Sequence, residues 1–286
     1  MSYTSCIPIR LSQAAVTAVA IASEEQRQGA YPAAHSLLLD TTLQLARRGV
    51  RAPVELDRAL QVLHSYLTVK RWVKRGDHAT AAMLLARVSR NIAAFPLHTV
   101  PILTSTVVEC QRAGFKRTSS EFAAMLAKPE YRQLVIEKYR KKIELLARRP
   151  ETEEEPQPAP PCPYCAAPLP QGVLDCPSCS NSVPWCVASG RHVVADDLCQ
   201  CPGCGFPATA SLFRETLAEE QCCPMCATPV PAASVVTMSP GAVREWLAAG
   251  APLAKGTLSA AAAAAAAGDG AQGQGLRAVG GEVEYQ

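Results

Sequence analysis

Four cysteine pairs share one spelling, Cys-Pro-x-Cys: Cys162/Cys165, Cys176/Cys179, Cys201/Cys204 and Cys223/Cys226. Two residues between thiols let both sulfurs face one metal from a single tight turn, and two such turns complete a tetrahedral four-sulfur cage around Zn2+. The proline after the first cysteine pre-sets the turn and removes no donor that the turn needs. Gly205, which follows Cys204, tolerates a left-handed backbone; Ala166, Ser180 and Ala227 hold that place in the other three turns. Only ten residues separate the first two pairs, the short loop of a zinc ribbon, so Cys162, Cys165, Cys176 and Cys179 are expected to form one site. Cys201, Cys204, Cys223 and Cys226 then form the second. Cys186 and His192 are further candidate ligands between the pairs, with Cys199 and Cys222 nearby. In a competing, interleaved cross-brace, Cys186 and His192 are ligands and one cysteine pair is displaced or holds a third ion. The expected cofactor is structural zinc, two ions in the first arrangement and three in the variant of the second.

Other uses of cysteine fit less well. The chain has 13 cysteines, an odd number, and the adjacent Cys222 and Cys223 suit a disulfide framework badly. A thioredoxin-like redox site uses one pair at a helix start in a βαβ unit, not four pairs in a proline-rich stretch. Catalytic zinc keeps an open coordination position beside a general acid or base, whereas eight thiols at closed-site spacing point to structural metal. From 160 to about 235 the chain is rich in Pro, Cys and small residues, so metal is expected to supply much of the order that a small apolar core cannot.

The elements that must carry these turns lie on both sides of them. The 286 residues, 48% hydrophobic and 5% aromatic, leave room for two compact modules and a tail. A net charge of +3 gives no global argument for nucleic acid or membrane. Residues 11–22 are apolar but interrupted by Ser12, Gln13 and Thr17 and run on into SEEQRQG, so an amphipathic helix is expected there rather than a secretory signal; no stretch reads as a membrane span. Free thiolates fit a reducing compartment. Helices are expected over 13–28, 31–48, 54–75, 77–94, 98–113, 118–127 and 130–148, broken at Gly29, Gly49, Gly76, Pro96 and Gly114. GAYPAAHSLL from Gly29 aligns with GDHATAAMLL from Gly76, and more faintly with GFKRTSSEFA from Gly114. A turn glycine followed by a helix with small inner residues is the pattern of TPR-like repeats. The fold class is thus mainly α, a TPR-like solenoid of helical hairpins followed by a small Cys-rich zinc-binding module.

Leu60, Leu63, Leu67, Leu84, Leu85 and Val88 are the expected inner face. His35, His64, His78 and His98 have no partner at metal spacing and read as structural or surface residues; Tyr66 and Trp72 are expected to pack between helices. Helix 130–148 carries Arg132, Lys138, Arg140, Lys141, Lys142, Arg148 and Arg149 beside the apolar stripe Leu134, Ile136, Tyr139, Ile143 and Leu146. That pattern suits either a solvated outer face or binding to an acidic partner, nucleic acid or a membrane surface. The expected divisions are helical repeats over 1–149, an acidic, proline-rich linker over 150–160, the zinc module with a short helix at 241–249 over 161–250, and a disordered low-complexity tail over 251–286, with eight alanines at 260–267.

Long strings now matter more than spacing. SYLTVKRWVKRGDHATAAMLLARVSRNIAAFPLHTVPILTSTVVECQRAG, KYRKKIELLARRP, CPSCSNSVPWCVASGRH and CPGCGFPA closely resemble the C-terminal region of the WD-repeat and TPR subunit of intraflagellar transport complex A, over roughly residues 14–230. The resemblance implies a non-enzymatic scaffold in retrograde ciliary transport and in the entry of membrane proteins into cilia. It implies other complex A subunits as partners, membrane cargo only indirectly, no nucleic acid, and a location at the cilium or flagellum and basal body on the cytoplasmic side. It matches Cys186 and His192 to a family Cys and His, and treats Cys199 and Cys222 as non-ligands. The family begins with β-propellers that this sequence lacks, so recognition by propellers lies outside it. Two other functions compete with this one. A RING-like ubiquitin ligase would use a cross-brace, but Ala227 stands where active ligases commonly carry Arg. Nucleic-acid binding would have only Arg191 and Arg214 as cations between 160 and 230.

Overall fold

The structure, a computed structural model, describes residues 6–151, 153, 157–251 and 253, with side chains from residue 12 onward. The expected tail over 251–286 therefore lies outside the described residues except at 251 and 253, and the expected linker is described only in part.

The protein is mainly helical. Helices α1 (Cys6–Arg27), α2 (Tyr31–Arg47), α3 (Val54–Arg75), α4 (His78–Arg90), α5 (Thr99–Arg112) and α6 (Lys116–Leu126) stack in chain order, each against the next. Glycines set the corners: Gly76 caps α3 in the left-handed region at φ 75°, where a side chain would be strained. The next helix starts at once, because Asp77 accepts from the Thr80 N–H at 2.9 Å and caps α4. Leu60, Leu63, Leu84, Leu85 and Val88 are all buried, but Leu67 is 37% exposed. Helical spacing puts Leu67 on the side of α3 that carries Leu60, Leu63 and His64, so it belongs to the expected face but is only partly covered there.

The last expected helix is two. A short α7 (Pro129–Arg132) and α8 (Glu137–Arg148) are separated by a turn over 133–136. Val135 in that turn is buried with Leu103, Phe122 and Leu126, which leaves Leu134 and Ile136 67% and 65% exposed on either side. The turn interrupts the helix, so Leu134 and Ile136 are no part of the stripe expected for a continuous one. Ile143 is buried and Tyr139 and Leu146 are half-buried against the same cluster.

The Cys-rich region contains a two-stranded antiparallel sheet, β1 (Leu198–Gln200) and β2 (Pro207–Thr209), then α9 (Ala210–Glu220) and α10 (Pro240–Ala248). Helix α9 has no counterpart among the sequence expectations; Phe213 and Leu217, one turn apart, are its buried anchors. One continuous core runs from Leu38, Leu56, Leu60 and Leu63 of the solenoid through Trp185, Val187, Phe206, Phe213 and Trp246 of the Cys-rich region. The expectation that this region has too little core of its own is therefore corrected in part: from Trp185 onward it borrows the core of the solenoid. The first four cysteines keep a smaller cluster, with Leu169 and Val183. Among the described residues no helix is long and apolar enough to cross a membrane.

Candidate metal centres

Five turns, not four, share one backbone design. In each, the N–H of the first cysteine donates to the carbonyl five residues on, and the N–H four residues on returns a bond to the cysteine carbonyl. The pairs are Cys162 with Ala167 and Ala166, Cys176 with Asn181 and Ser180, Cys186 with Arg191 and Gly190, Cys201 with Phe206 and Gly205, and Cys223 with Thr228 and Ala227. The fifth residue of every turn is left-handed, with φ between 54° at Ala227 and 72° at Gly205. A β-bridge or the β1–β2 ladder closes each turn at its base, as Trp185 with His192 and Gln200 with Pro207.

Four of these turns bring thiols together in sequential pairs. Cys162, Cys165, Cys176 and Cys179 have all their sulfurs within 4.8 Å of one another, and so do Cys201, Cys204, Cys223 and Cys226. Separations of 3.9 Å for Cys162–Cys179, 3.7 Å for Cys165–Cys176 and 4.0 Å for Cys204–Cys223 are far too long for a disulfide. They match the edge of a tetrahedron with Zn–S bonds of about 2.3 Å, which is about 3.8 Å. The electrostatics point the same way. The backbone N–H of Cys179, first among several donors, draws the Cys176 thiol down to about 7. Within the second group the hydrogen bond to Cys201 is the largest influence on both Cys226 and Cys223, holding the first far below and the second far above the ordinary thiol range. Four thiols in contact cannot all ionise unless a cation sits among them. The donor set is all sulfur, with no carboxylate or histidine in either group, which suits structural zinc and closes the coordination sphere.

The turn at Cys186 departs from this pattern at two positions. Ser189 stands where the second cysteine would be, and Val187 stands where the others have Pro163, Pro177, Pro202 and Pro224. The Cys186 sulfur accepts from the Thr209 N–H at 3.2 Å. His192 is buried with neither ring nitrogen in a well-formed hydrogen bond. Cys186 and His192 belong to neither four-sulfur group, and no third group of three ligands gathers among the described residues. Cys199 is fully buried and burial pushes its thiol up to about 12; Cys222 is half-buried outside both groups.

What the turn at Cys186 does hold is the solenoid. His64 Nε2–H donates to the Val187 carbonyl at 2.7 Å, Trp72 Nε1–H to Ala188 at 3.1 Å and Arg87 to Gly190 at 2.8 Å. Arg191 reaches Thr80 and, at 3.3 Å, Asp77 at the cap of α4. Val187 is free to donate its own N–H to Pro207 at 3.1 Å, which a proline could not do. Gly190, at φ 67°, lies so close to α4 that any β-carbon would run into Leu84. Ion pairs Arg71–Glu220 and Arg75–Glu219 join α3 to α9 beside it.

The histidines are accordingly not solitary. The Val187 carbonyl can only accept, so His64 carries its proton on Nε2 and accepts through Nδ1 from His35 Nε2–H, 3.3 Å away. Burial holds His35 at about 4 and, followed by the neighbouring His35, holds His64 at about 3. His78 bonds to Glu109, and His98 to Tyr66. Tyr66 packs with Tyr31 and Phe95 rather than beside Trp72.

The comparisons fall on this region and on the solenoid. A family model described as "IFT121, second zinc finger domain" matches residues 184–231, from the base of the Cys186 turn past the last cysteine. The chain is 49% identical over 214 residues to WD repeat-containing protein 19 of Mus musculus, a match that covers 75% of the chain and 16% of the relative. It is 47% identical over 227 residues to the Homo sapiens protein of the same name, covering 79% of the chain and 17% of the relative. WD repeat-containing protein dyf-2 of Caenorhabditis elegans is 39% identical over 218 residues, covering 76% and 16%. The match thus spans about a sixth of the length of these relatives. Over about three quarters of its length the chain is thus similar to a part of these WD repeat-containing relatives, and over residues 184–231 to the second zinc finger domain described for IFT121.

Proposed function

We propose that the chain is a non-catalytic scaffold of intraflagellar transport complex A, with Cys162, Cys165, Cys176 and Cys179 holding one structural zinc ion and Cys201, Cys204, Cys223 and Cys226 a second. The observation that carries the reading is the pair of closed four-sulfur groups set in a region that shares its core with a helical solenoid. Such sites order a surface for docking; they leave no coordination position for a substrate. Partners are other complex A subunits, met through protein faces, with membrane proteins reached indirectly and nucleic acid not engaged. The chain acts at the cilium and basal body, on the cytoplasmic side, in retrograde transport and membrane-protein entry. The helical repeats up to about 149, the acidic linker after them and the zinc module from about 161 are its working parts. The RING-like alternative loses its support, because the sulfur groups form from successive pairs rather than interleaved ones.

The test is to express the tagged chain in ciliated cells and to follow both co-precipitation and localisation. The expected result is recovery of complex A subunits with the parent chain and their loss with Cys201→Ser. A parent chain that enters no complex and stays away from cilia would overturn the assignment.

A further inference from the structure

The two four-sulfur groups differ in what covers them. In the second, Cys201, Cys204 and Cys223 are buried members of the main core, in one cluster with Phe206, Phe213, Leu217 and Met225, and Cys226 is half-buried. In the first, Cys162 and Cys176 are buried, Cys179 is half-buried and Cys165 is exposed, over a small cluster whose aliphatic members are Leu169 and Val183. Among the eight sulfurs that of Cys165 alone belongs to an exposed residue.

Oxidation of cysteine follows thiolate character and access to solvent. A zinc ion holds all of its sulfur ligands deprotonated, so access decides among them, and Cys165 has it. The Cys176 sulfur stands 3.7 Å away on the neighbouring turn. A disulfide needs about 2.0 Å, so a partner for Cys165 is already within reach.

We infer that Cys165 is a modification site for hydroperoxides, at which oxidation joins Cys165 to Cys176 and releases the first zinc ion. The Cys165 thiolate attacks one oxygen of hydrogen peroxide; the O–O bond breaks, hydroxide leaves, and Cys165 becomes a sulfenic acid. The Cys176 thiolate then attacks that sulfur, the S–O bond breaks and a second hydroxide leaves. Two protons from solvent turn both hydroxides into water, so two thiolates lose two electrons and the peroxide gains them. Cys162 and Cys179 are left as the remaining ligands, and two sulfurs do not complete a tetrahedral site. The inference rests on the zinc reading for the state of these sulfurs.

The effect reaches the solenoid through the loop 170–173 between the two turns. The Gln171 carbonyl accepts from the His192 N–H at 3.3 Å, and the Met83 sulfur of α4 lies 3.3 Å from where a β-carbon on Gly172 would stand. Without metal the small cluster must order this arm unaided. The loop then loosens from α4 and from the base of the Cys186 turn, while the second group stays closed.

The experiment is native mass spectrometry of the full chain before and after limited treatment with hydrogen peroxide, with alkylation, peptide mapping and hydrogen exchange. Two zinc ions are expected before treatment; a lower count would overturn the zinc reading and the inference with it. The expected product has lost one ion and carries a Cys165–Cys176 disulfide, with exchange raised over 162–183 and at the His192 amide and unchanged over 198–226. Cys165→His keeps a three-sulfur, one-imidazole ligand set that suits zinc, and should hold both ions through the same treatment. Where that variant loads only one ion, the disulfide map of the oxidised parent decides. With two ions present at the start, simultaneous loss of both, loss from the second group first, or a disulfide elsewhere would each overturn the inference alone. So would a Cys165→His chain that holds both ions and loses one as fast as the parent.

Discussion

The turn at Cys186 and the turn at Cys201 have the same backbone and opposite uses. Both close with the same two hydrogen bonds and both put a glycine in the left-handed region, Gly190 and Gly205. At Cys201 the second thiol is three residues on and the turn faces a metal cage; at Cys186 that place is Ser189, and the carbonyls of Val187, Ala188 and Gly190 face donors on α3 and α4. Losing one thiol and one proline converts a metal-binding turn into a latch for a helix pair. The order of the two cysteine groups has different sources. The first cysteine group has only a small cluster around Leu169 and Val183, whereas the second sits at the edge of the main core.

The comparison breaks most completely if the metal can be taken away without consequence. Chelation, or Cys201→Ser, removes a contribution on the order of 10–16 kcal/mol to the ordering of such a module. On chelation the first cysteine group, which has the least core, should unfold most completely, as read by loss of dispersed amide signals from 162–183, while α1 to α6 keep their helicity. A chelated chain with its module intact would contradict the metal account.

The latch should yield next. Gly190→Val meets both a left-handed φ and Leu84, a combined penalty of about 2–4 kcal/mol. Hydrogen exchange should rise in 184–192 and at the facing side of α3, with the zinc content unchanged. Trp72→Phe keeps most of the bulk and removes only the donor to Ala188, leaving a buried carbonyl unpaired for about 1–3 kcal/mol. Its melting temperature should fall by less than that of Gly190→Val; an equal fall would mean that packing, not the bond, holds the turn.

Acid sharpens the comparison more gently. His35 and His64 are held at about 4 and about 3 in the fold, below the ordinary histidine value near 6.5. The unfolded chain therefore binds more protons between those limits, so the stability these groups contribute is full above about 6.5 and declines as pH falls toward the folded values. Thiolate protonation releases zinc in the same direction. A His35→Gln, His64→Gln chain separates the two: it should lose the histidine part of the slope and keep the zinc part.

Much of this was legible beforehand, and the gaps have physical causes. Gly29, Gly49, Gly76 and Gly114 mark the solenoid corners in sequence because a positive φ at each favours glycine, and the two-residue spacing of the cysteine pairs marks the sulfur groups because turn geometry fixes it. The break at Val135 was hidden, since a continuous amphipathic helix and two helices joined by a turn bury overlapping residues, and only contact with Phe122 and Leu126 decides between them. The His35–His64 pair joins residues 29 apart, completed by a carbonyl 123 residues beyond His64, a relation no local period carries. The latch did leave a signal: Cys186, Ser189 and Gly190 repeat the spacing of Cys201, Cys204 and Gly205 with one thiol replaced.

The central claim is that four turns hold metal and the fifth holds the solenoid. Native mass spectrometry of the full chain beside its Cys186→Ser and His192→Ala variants tests it most directly. Two zinc ions in all three proteins is the predicted result; a third ion in the parent, or the loss of one in either variant, would contradict it and make Cys186 and His192 ligands.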